Sequence, residues 1–206
     1  MHSWMARKTV MSEELCILNN FPQEFLEEVK KYWDENNASM IERTWGGRRL
    51  VGDTITRKDM KDFTPVDDYL FEKFKTVFDS QYTVKESLGY LFYAANSGHF
   101  LHHYDIGRTC AINMPVYVDH ENSFFYTGDN GEELTDKEWH DVYCGRKEFE
   151  FRPENYKFYN LRKPVLCDTS KPHNFVNWSN SDRILFSINF NTTANELKNT
   201  LPPEWF

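Results

Sequence analysis

Two stretches near the start of the chain repeat their apolar residues at the spacing of a single helix face. In "NFPQEFLEEVKKYWDENN", residues 20–37, Phe25, Leu26, Val29, Tyr32 and Trp33 recur every three or four positions, and Pro22 stands near the first turn. Acids precede lysines, the order that suits the helix dipole, so the pattern predicts an amphipathic helix. In "TPVDDYLFEKFKTVF" Thr64 can cap and Pro65 suits the first helical position, while Val66, Tyr69, Leu70, Phe74, Val77 and Phe78 form one stripe. That predicts a second helix. Stripes of this width face a core.

From about Tyr82 the period shortens to that of strands. The β-prone runs are "TVKESLGYLFYAA", "TCAINMPVYV", "SFFYT", "EFEFR", "PVLCDT" and "RILFSINF", each short and bounded by polar residues. Breaks at Asn96-Ser97-Gly98, Gly128 to Gly131 and Trp178 to Asp182 carry turn chemistry. Short strands at this spacing after two helices predict a mainly β sandwich or barrel buttressed by N-terminal helices. The polar, glycine-bearing region 119–147 reads as a long excursion between strands, and such loops are where substrate contacts often sit. With no internal repeat or low-complexity segment, residues 1–206 read as one domain: helical support over about 12–80 and a β core over about 82–192.

Composition narrows the function. Aromatic residues make up 17% of the chain, which argues for a packed core and favours sheet. The formal charge of -8 disfavours any role that neutralises phosphates, and Arg48-Arg49 is too small a patch to reverse this, so nucleic acid is not an expected partner. Cys16, Cys110, Cys144 and Cys167 show no C-x-x-C spacing, and "MHSWMARKTVMSEEL" lacks the apolar stretch of a signal peptide. They read as reduced, buried thiols in a cytoplasmic protein. The sequons at Asn37, Asn177 and Asn191 are then incidental. No uncharged apolar run reaches the roughly 18 residues a membrane span needs.

Candidate chemistry concentrates in two places. In "HHYDIGRTCAINMP", residues 102–115, His103 and Asp105 stand two apart, so in a strand they point to one side and can approach one metal ion. By itself this spacing is a weak signal. The second stretch is "PVLCDTSKPHNFVNWSNSDRILFSINF": an apolar strand, a polar turn, His173, a polar loop, then Arg183 opening another strand ten residues on. A hairpin here would bring His173 and Arg183 to one interior. Two imidazoles and a carboxylate make the facial triad of non-haem Fe(II) enzymes. His102 stands three residues from Asp105 and cannot replace His103; His99, His120 and His140 read as surface or neighbouring positions. His99 and His103 have the spacing of helical zinc sites, but no Glu follows His99, and Gly98 and Gly107 disfavour a helix. The competing reading of Arg183 is a surface ion pair with Asp182 or Glu196, and that of Trp139 and Trp178 is simple packing.

The order H-x-D, then a distal His about seventy residues on, then an Arg ten further, resembles the Fe(II)- and 2-oxoglutarate-dependent oxygenase superfamily. The likeness runs from about Tyr82 to Asn191, and "HYDIGRTCAINMP" and "LCDTSKPHNFVNWSNSDRILFSINF" are similar to the small bacterial and viral members. The resemblance implies a double-stranded β-helix, or jelly roll, of cupin-like form, with His103, Asp105 and His173 binding Fe(II). It implies Arg183 on the far carboxylate of 2-oxoglutarate, a task that suits its planar fork. The family often places Ser or Thr two residues after that Arg. Here Leu185 stands there, so a partner donor is expected from Tyr90, Tyr93 or Ser187, with Asn113 on the pocket wall. The implied reaction consumes O2 and hydroxylates a C–H bond, with succinate and CO2 as co-products.

Two other functions stay open from the sequence: a catalytically silent jelly-roll module that binds a ligand or protein, and a cupin-like metalloenzyme that does not use 2-oxoglutarate. Arg183 separates the last from the oxygenase, because only a dicarboxylate needs a buried cation there. The expected substrate is an amino-acid side chain, protein-bound or free, or another small molecule. Oligomeric state stays open, and the aromatic end "LPPEWF" can dock on its own core or on a neighbour.

Overall fold

The structure is a computed structural model that describes residues 15–43, 60–65, 67–80, 82, 89–95, 98–99, 109–120, 123–128, 156–171, 173–177, 179 and 181–206. The strands among them are β1 (Leu15–Ile17), β2 (Ile41–Arg43), β3 (Met60–Thr64), β4 (Tyr90–Ala95), β5 (Gly98–His99), β6 (Cys110–Tyr117), β7 (Ser123–Gly128), β8 (Tyr156–Asn160), β9 (Val165–Asp168), β10 (His173–Asn177) and β11 (Arg183–Phe190). The helices are α1 (Gln23–Asn36), α2 (Tyr69–Val77) and α3 (Ala194–Lys198).

The strands form two antiparallel sheets. A large one has the order β1-β9-β6-β11-β4-β3-β2, and a small one β5-β10-β7-β8. From β4 onward the pairing nests: β4 with β11, β5 with β10, β6 with β9, β7 with β8. The ribbon so formed coils until β11 also meets β6 and β10 also meets β7. This is the double-stranded β-helix that the sequence resemblance implied.

One face of the large sheet is covered by helices because the apolar residues of both alternate in phase. Phe25, Val29 and Tyr32 of α1 and Leu70, Phe71 and Phe74 of α2 are buried. With Ile184, Phe186, Ile188 and Phe190 of β11, and Cys110, Ile112 and Met114 of β6, most of these form one core cluster. Ring contacts knit the cluster: Phe25 to Phe74 at 5.5 Å between the helices, Phe74 to Phe190 at 6.3 Å from helix to sheet, and Phe92 to Phe186 at 4.7 Å across neighbouring strands. Each such side chain, fully buried, stabilises by about 1.5–3 kcal/mol. The C-terminal end closes the same cluster, with Trp205 against Phe21 at 4.7 Å and Phe78 at 5.8 Å, so "LPPEWF" docks on its own core.

Several expectations change. The first third is not only helical: β1, β2 and β3 extend the large sheet on both edges. Thr64 does not cap α2 but ends β3 opposite Ile41, and the helix starts at Tyr69, whose N–H is held by Asp67 Oδ1 at 3.0 Å. A proline favours extended backbone in the residue before it, which suits Thr64 to a strand. Residues 148–152, read as a strand, lie outside the described residues. Among the described residues no helix is long and apolar enough to cross a membrane.

Candidate active site

The second face of the large sheet is the interior. Strand alternation puts Arg183, Leu185, Ser187 and Asn189 on the side of β11 opposite the helix-packed residues. All four are buried, at 2%, 3%, 1% and 0% exposed. Leu185 packs instead in a separate cluster with Leu161, Val165 and Cys167, and with part-buried Tyr93 against it. Both faces of the sheet are buried and helices cover one, which is what a sheet stacked on a second sheet requires.

Cross-strand register gathers polar groups on this inner face. Leu185 lies opposite Tyr93 of β4 and Pro115 of β6, and Ser187 opposite Leu91 and Asn113. Asn113 lies opposite Val165, and Ala111 opposite Cys167. Arg183, Tyr93, Asn113 and Ser187 therefore share one side of three adjacent strands. Tyr90, three positions from Tyr93, falls on the other side: it packs against the helix-side cluster, its ring 4.8 Å from Phe71. It is removed from the list of interior donors.

Beside Arg183 the pairing of β11 with β6 shifts register between Ile184 and Leu185, opposite Tyr117 and Pro115. Pro115 has no N–H to give to the ladder, and a bulge is where a central strand tolerates one. Bulges also re-aim the side chains next to them.

Burial sets the charge of the site. It drives the Arg183 guanidinium down to about 9, against an upward pull from Cys167. Arg183 is still a full cation at neutral pH, enclosed in the protein, and not a surface partner of Asp182, which is exposed. Glu196 is instead occupied by Thr192 and Thr193. Burial pushes the Cys167 thiol well up, so it stays neutral; Asn113 Nδ2 donates to its Sγ at 3.4 Å. Cys16, Cys110 and Cys167 are all buried free thiols, and Cys144 lies outside the described residues.

His173 opens β10 in the small sheet, opposite Thr127 of β7, and is 6% exposed. Its Nδ1 lies 2.9 Å from the Lys171 carbonyl oxygen. A carbonyl can only accept, so Nδ1 donates in this contact and the ring is oriented by it. The expected hairpin is not how His173 and Arg183 are held. The strands flanking His173 in the sequence reading, β9 and β11, are separated by β6, and His173 heads a strand of its own in the other sheet.

His103 and Asp105 lie outside the described residues, as do His102, His140, Trp139 and Trp178. Among the described residues no three His, Cys, Asp or Glu side chains form a metal-binding group. Gly98 pairs with Asn177 and His99 with Val176, so β5 runs toward the His173 end of β10, and in the sequence His103 follows four positions after His99. His99 itself is in a strand, against the helical zinc-site reading. His120 is exposed.

Sequence reasoning missed Asn177 and Ser123, both 0% exposed and joined by a 2.8 Å hydrogen bond between β10 and β7. The only signal available was the polar density of "NWSNS".

The fold defined above, two sheets wound as a double-stranded β-helix, is that of cupin-like and 2-oxoglutarate-dependent oxygenase structures. The non-heme alpha ketoglutarate dependent epimerase SnoN from nogalamycin biosynthesis superposes with a TM-score of 0.55 at 12% identity, over 86% of this chain and 78% of that one. A prolyl hydroxylase from Trichoplax adhaerens, in complex with a hypoxia inducible factor oxygen degradation domain peptide fragment, gives 0.52 at 10% identity over 90% and 87%. HygX from Streptomyces hygroscopicus, with nickel and 2-oxoglutarate bound, gives 0.51 at 8% identity over 86% and 82%. Likeness at such identities is a likeness of fold. No family model and no curated protein matches the sequence.

Proposed function

We propose that the chain is an Fe(II)- and 2-oxoglutarate-dependent dioxygenase in which His103, Asp105 and His173 hold the metal and Arg183 holds the far carboxylate of 2-oxoglutarate. The observation that carries this reading is the enclosed Arg183 cation, on the same inner face as Tyr93, Asn113 and Ser187. The planar fork of a guanidinium pairs bidentately with a carboxylate, which suits an enclosed arginine to the far end of a dicarboxylate. Further support comes from the His173 ring, buried and with Nδ1 against a backbone carbonyl, a contact that commonly orients metal-binding imidazoles, and from the pairing of β5 with β10 beside it. The donor set of two imidazoles and a carboxylate fits iron.

When bound, iron would supply oxygen activation coupled to the conversion of 2-oxoglutarate to succinate and CO2. The protein's own part is placement. Arg183 orients the cosubstrate by its far end. Tyr93, opposite Leu185 in register, brings a phenolic donor to the level where relatives in the superfamily carry Ser or Thr two residues after the Arg. Leu185, Leu91 and Val165, each 3% exposed or less, exclude water from that end of the pocket. The substrate is an amino-acid side chain, in a peptide or free, or another small molecule.

The test is anaerobic titration of the Fe(II)-loaded protein with 2-oxoglutarate, following the visible charge-transfer band of the chelate, in wild type and Arg183→Ala. A band in wild type that needs far more 2-oxoglutarate in the variant is expected. Metal uptake with no band would favour the cupin-like enzyme, and no metal uptake would favour the silent module.

A further inference from the structure

The connection from β10 to β11 carries the chain from the small sheet to the large one, between Asn177 and Arg183. At its root Asn177, fully buried, lies on the same side of β10 as His173. Its Oδ1 accepts from Ser123 Oγ at 2.8 Å and from the Ser179 backbone N–H at 3.2 Å, with Ser179 Oγ 2.7 Å away. Its Nδ2 donates to the Ser181 carbonyl at 2.9 Å. Ser179, 5% exposed, also takes the Ser181 N–H on its Oγ at 3.3 Å. One amide side chain thus ties the neighbouring strand β7 and both halves of the crossover together, ending two residues before Arg183. Buried polar groups satisfied in this way rigidify what they join.

We propose that Asn177 is a positioning residue for Arg183: its hydrogen bonds set where β11 begins, and so where the guanidinium enters the interior relative to His173. This rests on the proposed function. His173 and Asn177 are four residues apart, about 13 Å of strand, and both are held to β7 in one register, at Thr127 and Ser123. The amide therefore references the cation to the same rigid strand pair that carries the metal ligand. The span between them must match the length of one dicarboxylate, and a displacement near 1 Å can cost up to about a hundredfold. The tolerance needed is of the kind that supporting hydrogen bonds provide and loops alone do not.

The experiment compares wild type, Asn177→Ala and the milder Ser179→Ala as Ni(II)-loaded full chains, so that no turnover is required. Binding of nickel and then of 2-oxoglutarate is measured by calorimetry, and amide exchange is followed at Ser179 and Ser181. We expect 2-oxoglutarate affinity to fall at least about tenfold in Asn177→Ala and less in Ser179→Ala, with nickel affinity unchanged and both amides exchanging faster. If 2-oxoglutarate affinity stays at the wild-type value while thermal stability falls, Asn177 is merely structural and the proposal fails. Equal losses of nickel and 2-oxoglutarate affinity overturn it too, since the effect would not be on the cation alone. Should Asn177→Ala not fold, Ser179→Ala decides by the same criteria. Wild type that takes up nickel but ignores 2-oxoglutarate overturns the functional reading itself, and the positioning role with it.

Discussion

Arg183 and Cys167 respond to the same interior in opposite ways. Burial disfavours charge on both, yet the thiol starts neutral and stays so, while the guanidinium, even at about 9, keeps its proton at physiological pH. Arg183 therefore brings a positive charge to the inner face of a chain of formal charge -8. That Arg183 opens a strand was legible from the apolar run that follows a polar loop ten residues after His173. Of the candidate donors, Tyr90 and Tyr93 differ by three positions, hence by strand face, but choosing between them requires knowing which face the helices cover. Tyr93→Phe is expected to weaken 2-oxoglutarate binding about tenfold, the scale of one hydrogen bond to a charged group, in the same charge-transfer titration. Unchanged affinity would move the donor role to Asn113 or Ser187.

Elements differ in legibility for a physical reason. α1 and β11 were readable because each buries an uninterrupted apolar face. β10, "HNFVN", was not, because His173 and Asn177, on one side of it, are buried although polar, and buried polar positions break the usual alternation. β2 and β3 were hidden for another reason: β2, at the sheet edge, has only three residues, and β3 pairs over only three with β2 and four with β4. α3, five residues long, depends on its ends. Thr193 accepts from the Glu196 N–H at 3.2 Å while Glu196 Oε2 accepts from the Thr193 N–H at 3.1 Å, a reciprocal cap. The Thr192 hydroxyl, then the Thr193 N–H and hydroxyl, hold the Glu196 carboxyl below its ordinary value. A lowered folded value means stabilisation that is complete above the ordinary carboxylate range and lost as pH falls through the folded value. Thr193→Ala is expected to cost roughly 0.5–2 kcal/mol at neutral pH and to flatten part of the acid-side decline. Thermal melts across pH would show this, and parallel profiles for variant and wild type would count against it.

At the scale of the molecule, the nested pairing decides how the site comes into being. The innermost pair, β7 with β8, is already separated by residues 129–155, and each outer pair spans a longer stretch, up to β4 with β11. A topology built from distant partners folds slowly, because loop closure precedes any reward from contact. Refolding from urea should therefore restore 2-oxoglutarate binding only in the slowest phase, after far-UV ellipticity has largely returned; binding regained in the first phase would contradict this order. During synthesis the same nesting has a temporal meaning. Tyr93 emerges long before β11, the strand paired beside it, and Arg183 opens that later strand. Until that strand has left the ribosome, β4 and β6 lack the neighbour that joins them, so the surface carrying Tyr93 and Asn113 stays unfinished until β11 arrives.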